Sequence, residues 1–192
     1  MPRKNTAPDF DTMRVLLQSA AVHFKLVLGL RASRPPVSYL ETFSFGKHVA
    51  HHGELALTPD QEEHAFSALE HCATYIAVVQ IHTVLEAVHP APFQITEPAI
   101  SAAFQISRLI RNAFAHNPFA PTWEIRHAWK NRVFNVPDVI TLDTTGLDGQ
   151  FLRRQHYGGP LSILRLITYA DAVVQLRGGI NEAARTSKQP AS

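Results

Sequence analysis

A single cysteine, Cys72, stands among 192 residues, so no intrachain disulfide can form. A disulfide-stapled secreted scaffold is thereby excluded, and Cys72 reads as a small buried hydrophobe within a helical pattern. Charge is also scarce: Asp, Glu, Lys and Arg make up only 18% of the chain. That is little for a monomer solvated on every side, and it predicts surface covered by a partner subunit. The net charge of +2 excludes a dedicated DNA-coating protein while leaving room for an anionic partner. Apolar runs are broken every few residues by His, Lys, Gln or Arg, so no membrane span is expected. Met1 to Pro8 is polar and lacks the apolar centre of a secretory leader, which predicts a cytoplasmic location. Gly158-Gly159-Pro160 lacks the Lys-Ser/Thr ending of a phosphate loop and reads as a turn opening a helix. There is no internal repeat.

Hydrophobic residues reach 45%, enough for one proper core, and the length suits one domain. Met13, Leu16, Leu17, Ala20, Phe24, Val27 and Leu28 recur at helical spacing. They predict a first helix from about Asp11, its expected cap, to Arg31, ended by Arg34-Pro35-Pro36. Residues 37–57 read as a loop able to hold a short helix. The second helix has the clearest start: Thr58 as cap, Pro59 in the first turn and Gln61 closing a capping box. It is expected to bury Phe66, Leu69, Ala73, Ile76 and Val84 and to end near Val88. A third helix opens at Thr96-Glu97-Pro98 and ends at Asn117-Pro118. Short β-rich pieces at Trp123–Ile125, Arg132–Phe134 and Val139–Leu142 predict a hairpin or meander insert over about 122–145. A last helix follows Pro160 and is expected to stop at Gly178-Gly179. The reading is mainly α: an up-down bundle of four main helices with a small β insert before the last, spanning 1–184 as one domain, with a disordered tail over 185–192.

The third helix carries the chemistry. Its apolar face is broad, and Ser101, Gln105, Arg108, Asn112 and His116 form a narrow polar stripe within about 80° at 3.6 residues per turn. Near its end stand Arg111, Asn112 and, after four intervening residues counted from the arginine, His116. Arginine, a polar residue directly after it and a histidine at the end of a late helix in an all-α bundle resemble the motif of the HEPN superfamily. That resemblance implies a metal-independent endoribonuclease whose motif pairs across a homodimer into a composite site, set in toxin–antitoxin or defence biology with an antitoxin-like protein as partner. It implies His116 as general base, Arg111 as phosphate clamp and Asn112 as the group that orients the imidazole or binds phosphate. The residue chemistry agrees: histidine titrates near neutrality, and guanidinium offers a permanent charge with a planar donor fork. The superfamily also holds noncatalytic binding modules for RNA, nucleotide or protein, and that alternative stays open. So does a plainer one, in which Arg111 and Asn112 cap the helix end or bind its carbonyls and His116 is a C-terminal helix residue that satisfies the dipole.

Other clusters are weaker. His48, His51, His52 and Glu54 have spacing compatible with a metal, yet no Cys pair or His-Glu-x-x-His helix supports one, so no metal or cofactor is expected. Arg126, Lys130 and Arg132 alternate with Trp123, Trp129 and Phe134, and with Arg108 they are candidate RNA contacts. The alternative is a hairpin with aromatics on its core face and charges in solvent. Arg153, Arg154 and His156 either extend that patch or are solvated. From Gln105 to Val136 the only acid is Glu124.

Overall fold

The computed structural model of the chain describes residues 9–33, 42–51, 53, 56–89, 91 and 94–186. Among them, four long helices, α1 (Phe10–Ser33), α2 (Pro59–Val88), α3 (Pro98–Ala115) and α4 (Pro160–Thr186), form an up-down bundle. A hairpin of β1 (Thr42–Phe45) and β2 (His48–His51) follows α1, and a second, of β3 (Val133–Val136) and β4 (Ile140–Asp143), precedes α4.

Helix α1 buries Met13, Leu17, Ala20, Phe24 and Val27, an alternating three- and four-residue spacing that keeps one stripe inward. That stripe meets α2 and α4. By length and composition α1 could also cross a membrane. Its cap is Asp9, two residues before the expected Asp11: the Asp9 carboxylate accepts from the Thr12 amide at 2.7 Å. An N-cap must precede the first helical residue and reach the N–H three positions on, which only Asp9 does here.

The capping box of α2 is present, with Thr58 Oγ1 accepting from the Gln61 amide and Gln61 accepting from the Thr58 amide. The helix ends at Val88 as expected, but its inward face is turned from the predicted one. Glu70, Ala73, Thr74, Ala77, Val78, Ile81, His82, Val84 and Leu85 are buried, whereas Leu69 and Ile76 are exposed. The cause is Glu70. Its carboxylate is buried between Arg154 (2.6 Å) and Arg31 (3.4 Å), and a polar residue on the inner face misleads a count of apolar ones.

Residues 37–57 differ from the loop reading. Residues 42–51 form the antiparallel β1–β2 pair, closed by Gly46-Lys47 with Gly46 at φ +59°. Glycine reaches that left-handed region without steric cost. Arg34-Pro35-Pro36, His52 and Glu54 lie outside the described residues. In the insert, β3 and β4 pair in the register Val133↔Asp143 to Val136↔Ile140. The predicted strand at Trp123–Ile125 is not one; only an isolated bridge, Thr122↔Phe151, forms there. Helix α4 runs through Gly178-Gly179 to Thr186. Glycine disfavours a helix by only about 1 kcal/mol, too little to stop one that goes on packing: at Gly178 the Phe10 ring of α1 lies 3.6 Å from where a Cβ would stand, ordinary contact distance. Of the predicted tail, 185–186 are helical and 187–192 lie outside the described residues.

Candidate functional site

Helix α3 is packed by α2 on one side and β3 on the other. Ten of its residues are buried, including Gln105 and Ser107, so its polar stripe is not a solvated face. The stripe emerges only at the C-terminal end: Gln105 is buried, Arg108 and Asn112 are half-buried, and His116, the C-cap, is exposed. Asn117 turns the chain sharply after it, its Oδ1 accepting from the amides of Phe119 (3.0 Å) and Ala120 (3.1 Å). That Asx turn sends the backbone back along the end of α3.

The returning segment is held on both flanks. The Trp123 amide donates to Gln150 O at 2.9 Å, and its carbonyl accepts from the Gly149 amide at 2.9 Å. The Ile125 amide donates to the Asp148 carboxylate at 2.9 Å, and Asp148 also holds Lys130 at 2.6 Å. Trp123 and Ile125 are buried, so the residue between them points outward, as alternation in extended chain requires. That residue is Glu124. Its Oε2 lies 3.1 Å from Nε2 of His116, both side chains being largely exposed, at 59% and 73%. Asn112, His116, Glu124, Arg126 and Asp148 line an open concavity of about 390 Å³ at this end of the bundle.

Asn112, His116 and Arg126 are thus brought together among the expected residues. Arg111 stands beside them, outside the lining of the concavity, with Nη2 donating to Asn112 Oδ1 at 3.3 Å. Among the described residues, Arg111, Asn112 and His116 make no hydrogen bond to a carbonyl at the helix end, while His116, as the C-cap, still stands at the negative end of the helix dipole. The other basic candidates are engaged in the insert. The guanidinium groups of Arg108 and Arg132 lie 5.9 and 5.8 Å from the Trp129 ring, and Trp129 packs on Phe134. Arg154 belongs to the buried Glu70 network rather than to a surface patch. His156 accepts at Nδ1 from the Trp123 indole (2.8 Å) and from the Arg153 amide (3.2 Å). Burial, and then Arg153, holds its pKa below the ordinary histidine value, in keeping with a neutral acceptor. His48 and His51 are exposed on β2, while their expected companions His52 and Glu54 lie outside the described residues.

Beneath Arg111 lies a group that the pattern of charges did not single out. His82 of α2 is buried against the Phe104 ring at 4.6 Å. Burial, then the charges of Arg111 and Arg108, pushes its pKa down to about 4. Glu124 was the other omission. Its signal in the sequence was its isolation, a single acid in an otherwise basic stretch beginning before the motif histidine. Compared with family models, curated proteins and solved structures, the chain matches none.

Proposed function

We propose that this chain is a HEPN-like, metal-independent endoribonuclease working as a homodimer. The observation that carries the reading is the placement of His116: exposed at the end of α3, on the rim of an open polar concavity, with Asn112 and Arg126 in the same lining.

In the proposed reaction His116 takes the proton of the ribose 2′-hydroxyl. The O2′–phosphorus bond forms, the phosphorus–O5′ bond breaks, and a proton returned to O5′ completes a 2′,3′-cyclic phosphate and a free 5′-hydroxyl. Arg111 holds the phosphate charge that develops on the way, a task suited to a guanidinium fork, and Asn112 binds phosphate or steadies the imidazole. Arg126 is the remaining exposed cation of the concavity and guides the RNA backbone, with Arg108, Lys130 and Arg132 behind it. Because Arg111 lies beside the concavity rather than in its lining, the proposed active unit joins the α3 ends of two protomers. An antitoxin-like protein covering this end is the proposed regulator.

Cleavage of a mixed structured and single-stranded RNA pool in EDTA tests the reading. Wild type should cut. Arg111→Ala and His116→Ala, both folded, should each lose roughly 10²–10⁴-fold, the contribution of a positioned acid–base group or charge clamp. Mixing the two inactive variants should restore activity if each supplies what the other lacks across the two-fold. Absence of cleavage by folded wild-type dimer rejects the enzyme reading. It would favour the noncatalytic binding module, which the engagement of Arg108, Lys130 and Arg132 within the insert also suits.

A further inference from the structure

Glu124 is held more firmly than a surface acid requires. The backbone on either side of it is fixed by three hydrogen bonds to residues 148–150, and the flanking Trp123 and Ile125 side chains are buried. Trp123 is pinned again through its indole to His156. The carboxylate therefore leaves a rigid platform and meets Nε2 of His116 at 3.1 Å. The other imidazole nitrogen, Nδ1, has no hydrogen-bond partner among the described residues. The contact is an ion-pair distance, and a carboxylate accepts and cannot donate, so a neutral imidazole bonding to it there carries its hydrogen on Nε2. In a neutral imidazole that leaves a lone pair on the opposite nitrogen. Largely exposed ion pairs add little to stability, so folding does not require the His116–Glu124 contact itself.

We propose that Glu124 is the positioning residue of this site: its carboxylate holds His116 as the Nε2–H tautomer and leaves Nδ1 as the atom that accepts the substrate proton. The proposal rests on the ribonuclease reading for what Nδ1 does, and on geometry alone for the tautomer. Glu124 does not touch the reacting atoms. It acts by selecting which nitrogen is basic and by fixing the ring's direction, as a carboxylate does for a catalytic or metal-bound histidine.

Two measurements on the full-length protein test it. Long-range nitrogen–proton NMR at about pH 8, where an ordinary histidine is neutral, reads the tautomer of His116 directly. Wild type should show Nε2–H almost exclusively, and Glu124→Ala should relax toward a mixture. A wild-type Nδ1–H tautomer, or a tautomer unchanged in Glu124→Ala, overturns the proposal. Kinetics supply the second measurement. Glu124→Ala should lower kcat by roughly tenfold, a part of the 10²–10⁴ that a positioned base contributes, with KM unchanged. Glu124→Gln, which can still accept from Nε2, should fall between Ala and wild type. An unaltered kcat in a variant whose tautomer has shifted also overturns the positioning role. If wild type cuts no RNA while the tautomer responds as expected, the enzyme reading fails and the tautomer assignment stands.

Discussion

At the residue scale, two paired acids, Glu70 and Glu124, have opposite meanings because water reaches one and not the other. Glu70 is 3% exposed and bridges Arg31 and Arg154, linking α1, α2 and the turn before α4. Removing its carboxylate leaves Arg31 with Glu63 alone and Arg154 to water. Glu70→Ala should cost roughly 3 kcal/mol in a urea melt, at the lower end for a broken buried pair because Arg154 is partly solvated and regains water. The hydroxyl of Tyr157 feels the same site: burial, and then the Glu70 charge, pushes its pKa up to about 12. The exposed His116–Glu124 pair should contribute less than about 1 kcal/mol, so Glu124→Ala should melt almost with wild type. A large loss of stability in that variant would show that the pair is structural. Which acid was which could not be seen from the amino-acid order. Glu70 sits in an ordinary helical sequence, and only the packing of three elements encloses it.

At the scale of elements, the local signals that worked were those whose partners lie within four residues. The Thr58–Gln61 box is such a signal, and Thr58→Ala should destabilise the protein by about 1 kcal/mol, measured as a shift of the urea midpoint. The signals that failed depended on distant partners. Trp123–Ile125 has strand-like residues but finds the turn at 148–150 in place of a ladder. Gly178 reads as a helix stop until Phe10 of α1 packs against it. Asp148 supports the site at one remove, through the Ile125 amide and Lys130. Asp148→Ala should loosen the Glu124 platform and weaken RNA cleavage several-fold while sparing the bundle's melting midpoint to within about 1 kcal/mol. Hydrogen exchange at the Ile125 amide provides the check.

For the whole molecule, acid is the weakness built into the fold. His71, His82, His89 and His156 all have pKa values lowered below 6.5, with burial the largest cause in each. Each therefore binds a proton less readily in the folded chain than in the unfolded one. Their effect on stability is absent above about pH 6.5, where both states are neutral, and stability is lost as the pH falls toward about 4, the value for His82. Urea midpoints measured between pH 7 and 4 should fall steadily, with His82 setting the acid end of the decline. His82→Leu should flatten the curve at its acid end, because an apolar side chain in that place has no proton to refuse. A midpoint independent of pH over this range would contradict the burial of these rings.

What the sequence determined by itself is set by short-range physics: four helices, the insert before the last, the α2 capping box, and the polar stripe of α3 that runs through Asn112 to His116. Helical periodicity and cap chemistry are properties of neighbours in the chain, so they can be read without a fold. Tertiary structure alone decided which face of α2 is inside, that residues 42–51 pair as a hairpin, and that Arg108, Lys130 and Arg132 are engaged within the insert. It also decided the meeting of Glu124 with His116, which depends on an Asx turn, two buried anchors and hydrogen bonds to residues more than twenty positions away. Such encounters are products of packing, and no period or propensity in the chain encodes them locally.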